Sequence, residues 1–300
     1  MIYYNESSIK KIGKAMGIES KTEVFPGIKN PAACFEQRAT NGSEQNTYYF
    51  NQPVIKFRIT DTNKTKAKDI TDKMFKAMEG CGVGLAHNQL KREGEAVNPY
   101  AIFVIKHESE DQALHAPPEA FVNPVIVGYT LEKKVFPHGC LSAIGAKRAR
   151  VETYEKVLIA FYSVPDLQLQ VKKYAGFAAI ICQHEFNHLA TRGTYIDTVN
   201  QYVNGDRFKE AENFYLSEQD LTQDKNKGIK EANIGENLPC LTTQDVLSRC
   251  KKALKDEALI QEVVTRYLQQ HPEDKPLYDN LMAAPNTDVP LYGEAPIESY

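Results

Sequence analysis

The most constraining feature of this chain is an apolar run that leads directly into histidine. Gly176–Leu189 holds Phe177, Ala178, Ala179, Ile180, Ile181 and Cys182, then continues Gln183-His184-Glu185-Phe186-Asn187-His188. Residues this apolar, with good helix formers among them, predict a helix buried on nearly all sides. Such a helix cannot carry His, Glu, Asn and His without partners, because each unpaired buried polar group costs about 1–3 kcal/mol. His184 and His188 stand four residues apart, so on a helix both imidazoles share one face and can reach one metal ion. Glu185, next to the first imidazole, is placed to handle a metal-bound water rather than to bind the ion.

Two imidazoles do not complete a catalytic divalent site, which takes three protein ligands and an open position. The other Cys and His residues, or a carboxylate on a following segment, are candidates for the third. Cys140 ranks first, in a Gly-Cys-Leu-Ser run just after a predicted strand, although a free Cys is ordinarily a small buried hydrophobe. A metallopeptidase built on the same His-Glu-x-x-His helix would instead take its third ligand later, with Glu212 or Asp197 as candidates.

Elsewhere the pattern is that of a mixed α and β protein. Ile9, Ile12 and Met16 suggest a short helix, and Ala39–Asn46 a loop. Ile70, Met74, Phe75 and Met78 share one face of a helix over Asp69–Glu79, with Gly80 as its stop. Ala101–Ile105, Phe121–Tyr129 and Val157–Val164 read as strands, and Pro165–Asp166 turns the last into a hairpin with Leu167–Val171. Residues 201–300 carry eleven Lys/Arg against eighteen Asp/Glu. There Gln219–Leu241 reads as a linker, and helical periodicity returns with Val246, Leu247, Cys250 and Leu254, then Leu259, Ile260, Val263, Val264 and Tyr267. Pro272 ends it, and the last 25 residues read as a loop-like tail.

A formal net charge of −3 gives no reason to expect nucleic acid or an anionic membrane as the main partner. No apolar run approaches the length of a membrane span, and Met1–Gly17 lacks the apolar stretch of a secretory signal. The six cysteines are scattered through a chain far larger than disulfide-dependent domains. These points predict a soluble, cytoplasmic protein with free thiols.

Three segments together resemble the peptide deformylase family. Gly82-Val83-Gly84-Leu85-Ala86-His87-Asn88-Gln89 is similar to its first motif, His138-Gly139-Cys140-Leu141-Ser142 to its second, and Gln183-His184-Glu185-Phe186-Asn187-His188-Leu189 to its third. They occur in the family's order, and the likeness covers about residues 50–200. The resemblance implies an α+β fold with antiparallel sheets around a central helix bearing His184 and His188. Residues 1–49 and an acidic, mainly helical stretch 201–300 would be extensions of that domain. It implies one divalent metal on Cys140, His184 and His188, with iron(II) favoured over zinc, nickel or cobalt. It further implies Glu185 as acid/base and Gln89 with the Leu141 backbone N–H as oxyanion donors. Gly82, Val83, Gly84 and Gly139 would line the substrate. The implied reaction removes the formyl group from N-formylmethionyl peptides, or from nascent chains at the ribosome, and releases formate.

Several positions depart from the family pattern. His138 stands in place of a Glu, His87 and Asn88 precede Gln89 in place of smaller residues, Asn187 replaces an Asp, and Thr153 falls near a common Arg. None removes a ligand, Gln89 or Glu185. They leave open a changed substrate or a non-catalytic binding role. His138 and His87 are weighed as contacts of the metal's surroundings, whereas His107, His115 and His271 are expected to be solvated.

Overall fold

The computed structural model describes residues 23–25, 28–29, 52–79, 82–90, 98–110, 114–140, 142, 149–195, 198, 230–231 and 238–294. The helix expected near Ile9–Met16 and the loop Ala39–Asn46 lie outside them. Three of the described strands and one helix start the chain: β1 (Glu23–Phe25), β2 (Ile28–Lys29), α1 (Lys64–Met78) and β3 (Gly84–Ala86). Then come β4 (Ile102–His107), β5 (Ala116–Tyr129), β6 (Lys133–His138), β7 (Ala149–Tyr154), β8 (Lys156–Tyr162) and β9 (Leu169–Ala175). Helix α2 (Gly176–Thr191) follows, then β10 (Lys230–Glu231), α3 (Gln244–Asp256), α4 (Ala258–Gln270) and α5 (Lys275–Ala283).

The strands form a five-stranded sheet in the order β3-β4-β5-β8-β9, a three-stranded sheet β10-β6-β7, and the ribbon β1-β2. Every pairing within them is antiparallel. This is the α+β architecture expected: antiparallel sheets, a buried central helix and a helical C-terminal part. In β4 the side chains alternate between two cores. Phe103 and Ile105 face α2 and the C-terminal helices, while Ile102 and Val104 face α1. Both faces being buried explains why this strand reads as a continuous apolar run.

Asn123 ties the segment before α1 to the sheet. Its φ of 50° interrupts β5, and its amide accepts from the Phe57 N–H at 2.7 Å and donates to the Phe57 carbonyl at 2.8 Å. Asn is among the few residues that enter the left-handed region readily.

Element boundaries moved in physically readable ways. Helix α1 begins five residues earlier than the apolar stripe, after the 3-10 turn Asp61–Asn63, and Lys64 pairs with Asp61. Strand β5 extends back to Ala116 because its pairing with β4 continues through His107↔Ala116. The hairpin around Pro165 is present, with Tyr162 opposite Leu169. His107 is not solvated as expected: it is half-buried with its ring on the edge of Phe177, 5.3 Å between centroids.

The C-terminal region departs most from expectation. Helix α4 ends at Gln270, just before Pro272 as expected, but residues 275–283 then form α5 rather than a loose tail. Pro276 lies in the first turn of α5, where a missing N–H costs nothing. Lys230–Glu231, inside the expected linker, pairs with β6. Leu247, Leu254, Leu277, Leu281 and Tyr292 join the same core as β5, β8 and α2. The backbone closes the loop: Gly293 N–H donates to the Val54 carbonyl at 2.8 Å, and Lys56 N–H to the Gly293 carbonyl at 2.9 Å. Among the described helices none is long and apolar enough to cross a membrane.

Gly128 in β5 measures how closely α5 docks. A Cβ there would lie 2.9 Å from backbone atoms of both Leu277 and Tyr278. Gly128→Ala is therefore expected to lower stability by about 1–3 kcal/mol, read from denaturant midpoints. A neutral result would show that α5 does not rest on the sheet.

Candidate metal centre

Helix α2 is buried along its whole middle, from Ala179 to Ala190. Several of its polar groups find partners on neighbouring elements. The Gln183 amide brackets the Tyr154 backbone, accepting from its N–H at 2.9 Å and donating to its carbonyl at 2.8 Å. That pair locks the helix against β7. At the far end, Arg249 of α3 donates to the Ala190 carbonyl at 2.7 Å, satisfying a free carbonyl of the last turn.

The helix brings His184 and His188 to one face, and the chain after β6 brings Cys140 to them. One ligand atom from each of Cys140, His184 and His188 lies within 4.8 Å of the others, and all three residues are buried. Among the described residues this is the only such cluster. Cys140 Sγ is 3.4 Å from His188 Nε2. The opposite nitrogen, Nδ1, is 2.7 Å from the Gly193 carbonyl. A carbonyl can only accept, so His188 carries its proton on Nδ1 and presents an Nε2 lone pair beside the thiol. His184 Nδ1 meets His138 Nδ1 at 3.0 Å, leaving its Nε2 for the cluster.

Burial first, then the neighbouring imidazoles His188 and His138, pushes His184 well below the usual imidazole range. His138 is pushed down to about 3 by burial. Neutral imidazoles keep their lone pairs, which is the state a ligand needs. The donor set, one thiol and two imidazoles in a dry pocket, fits a borderline-soft divalent ion.

Glu185, the residue after His184, is buried. Its Oε2 has no hydrogen-bond partner among the described residues, and burial holds its carboxyl well above the usual range. The backbone of β3 passes against it: a Cβ on Gly84 would fall 2.5 Å from Glu185 Oε1 and 2.7 Å from Cγ. Only glycine leaves room for that carboxylate.

The first motif is knitted to the other two. Gln89 accepts from the Ala86 N–H through Oε1 at 2.7 Å, and its Nε2 is 3.1 Å from Ser142 Oγ. Asn88 donates to the His188 carbonyl at 2.8 Å. His87 is structural: its Nδ1 accepts from the Tyr100 N–H at 3.0 Å and its ring stacks on Tyr100. Gly82 and Val83 lead into β3, and the Val83 carbonyl is taken by Lys106 N–H at 2.9 Å. Gly139 is buried beside Cys140.

Leu141, Asp197 and Glu212 lie outside the described residues. Asn187 is buried with neither amide atom paired among the described residues, and the Thr153 hydroxyl is likewise enclosed. Sequence reasoning gave no role to Gln183, or to Tyr195, whose ring lies 6.0 Å from His184 and 6.1 Å from His138. Gln183 could have been noticed as an amide at the end of an apolar run. Tyr195 carries no comparable signal.

The Glu185 environment has a measurable sign in the metal-free protein. Above pH 4.5, the ordinary glutamate value, the unfolded chain ionises while the folded one keeps its proton. Wild-type stability then falls as pH rises toward the folded value, by at most about 1.4 kcal/mol per pH unit. Glu185→Gln has no such proton. Its stability relative to wild type is expected to rise with pH from about 4.5; a gap that stays constant with pH would contradict the burial.

Known proteins similar to this chain fall in one family. The family model of polypeptide deformylase matches residues 45–204. A peptide deformylase of Rhodopseudomonas palustris (strain TIE-1) is 33% identical over 126 residues, 42% of this chain and 67% of the relative. Peptide deformylase 2 of Nostoc sp. (strain PCC 7120 / SAG 25.82 / UTEX 2576) is 31% identical over 138 residues, 45% of this chain and 72% of the relative. Among solved structures, a probable peptide deformylase from Synechococcus phage S-SSM7 covers 50% of this chain and 92% of its own, at 25% identity and a TM-score of 0.42. With residues 45–204 of its 300 matched by that model, the chain belongs to the polypeptide deformylase family.

Proposed function

We propose that this chain is a metal-dependent amidohydrolase that removes the formyl group from N-formylmethionyl peptides or nascent chains and releases formate. The observation that carries the reading is the buried Cys140, His184 and His188 cluster, with the buried Glu185 carboxyl on the residue next to His184. Cys140 Sγ and one Nε2 each of His184 and His188 would hold one divalent ion, iron(II) by preference, with zinc, nickel or cobalt as alternatives. Such an ion supplies Lewis acidity toward the formyl oxygen and makes water nucleophilic near neutral pH.

The remaining work falls to the chain. Glu185 accepts a proton from the attacking water as the new C–O bond forms at the formyl carbon. The negative charge that develops on the formyl oxygen is met by Gln89 Nε2, which has a second hydrogen beyond the one facing Ser142, and by the Leu141 N–H. Glu185 then passes the proton to the amine nitrogen as the C–N bond breaks. A carboxyl held above its usual range by burial is suited to both duties.

The edge of the sheet offers a track for the peptide. β3 ends the five-stranded sheet, and among the described residues no strand pairs with its outer side. Val83 uses its carbonyl inward, so ladder alternation turns the Gly84 N–H and carbonyl outward. Gly82, Val83 and Gly84, with Gly139 across the cleft, would receive the substrate backbone as an added strand. A cytoplasmic site of action on chains emerging from the ribosome is part of the proposal.

Formate release from a formyl-methionyl peptide, with iron-loaded protein handled without oxygen, tests the reading. Glu185→Gln is expected to lower kcat by about 10²–10⁴-fold while still binding one metal per chain. Absence of turnover in a metal-loaded wild type would point instead to a changed substrate or a binding role. Cys140→Ala is expected to lose the metal, measured as metal per chain after desalting; a metallopeptidase with its third ligand downstream would retain it.

A further inference from the structure

His138 is a departure from the family pattern that reaches the metal cluster. It is the last residue of β6, two before Cys140, and it is completely buried. Its ring lies parallel to that of His184, 17° between planes, with the two Nδ1 atoms 3.0 Å apart. The family motif usually has a glutamate at this position.

We propose that His138 is a positioning residue that accepts the Nδ1–H of His184 and so fixes His184 in the tautomer whose Nε2 lone pair is offered to the metal. The inference rests on the reading of Cys140, His184 and His188 as ligands. The argument is one of proton placement. Two nitrogens 3.0 Å apart share a single proton, since two would collide and none would leave lone pair facing lone pair. If His138 Nδ1 held that proton, neutral His184 would carry its own on Nε2 and could not ligate. The ligating state therefore has the proton on His184 Nδ1, and neutral His138 carries its proton on Nε2. That atom has no hydrogen-bond partner among the described residues, so it would be unpaired in either tautomer and does not favour the other one.

Histidine ligands are ordinarily oriented by a carboxylate, a backbone carbonyl or water. His188 follows that pattern through the Gly193 carbonyl; His184 uses an imidazole instead. An imidazole that accepts a hydrogen bond carries no negative charge, so His184 is made less basic than a glutamate would make it. The site holds its metal less tightly as a result and is correspondingly more electrophilic. Phe136 and Tyr195 pack around the His138 ring, with centroids 5.9 and 6.1 Å away, and keep it in place.

The direct test is long-range ¹H–¹⁵N correlation on the zinc-loaded full chain. It is expected to show His184 protonated on Nδ1 and His138 on Nε2; a proton on His138 Nδ1 would overturn the proposal. Zinc affinity by chelator competition gives a second reading. His138→Phe removes the acceptor and is expected to weaken binding by about 10–100-fold. His138→Asn, whose Oδ1 replaces the acceptor, should restore most of it, and His138→Glu should bind more tightly than wild type. Equal affinities across the series, with wild type binding zinc through Cys140, His184 and His188, would overturn this inference and leave the proposed function standing. A wild type that binds no zinc, iron or cobalt would overturn both.

Discussion

Helix α2 has to solve a solvation problem, and much of the fold can be understood as the solution. It lies inside the protein yet carries two imidazoles, a carboxyl and two amides. Each such group would be costly in an apolar interior without a partner. Gln183 is met by the Tyr154 backbone, His188 by Gly193, His184 by His138, and the last turn by Arg249. Those partners come from the three-stranded sheet, from the chain just past the helix and from α3. Keeping the helix in register therefore couples it to elements on either side of it in the chain.

The groups left over define the site. One ligand atom from each of Cys140, His184 and His188 comes together, and the Glu185 carboxyl of the same helix is closed in by the β3 backbone at Gly84. Gly84 matters there for steric reasons, because any side chain would displace the carboxyl. The same closeness sets Glu185 against β3, the strand that ends the five-stranded sheet. In the proposed function, acid/base group, ligands and substrate track all depend on that helix–strand contact.

The C-terminal region belongs to this framework rather than hanging from it. Its helices cover β5 and β9, and its last described residues return to the segment before α1. Tyr292 donates to the Pro124 carbonyl at 3.0 Å and packs against Phe186 on the back of α2. Lys56 pairs with Glu257, and Lys173 with the buried Asp274 at 2.7 Å. The described C-terminal residues, in a stretch that reads as an appendage, are in this way part of the core that supports α2.

By itself the sequence determined the elements whose signals are local. The buried helix, the four-residue histidine spacing, Glu185 beside it and the apolar strands at Ile102 and Phe121 all follow from side-chain periodicity. The three motifs pointed to Cys140 as well. Only the tertiary structure decided what lies across space. It turned residues 275–283 from an expected tail into a helix, because the burial of Leu277 and Leu281 depends on a sheet far away in the chain. It separated His87, which serves the Tyr100 backbone, from His138, which meets the His184 ring, although each stood two residues from a site position. Residue spacing specifies which side chains share a face. Which face meets which is fixed only when distant segments pack, and so the orienting partners of the site could not be read from the chain alone.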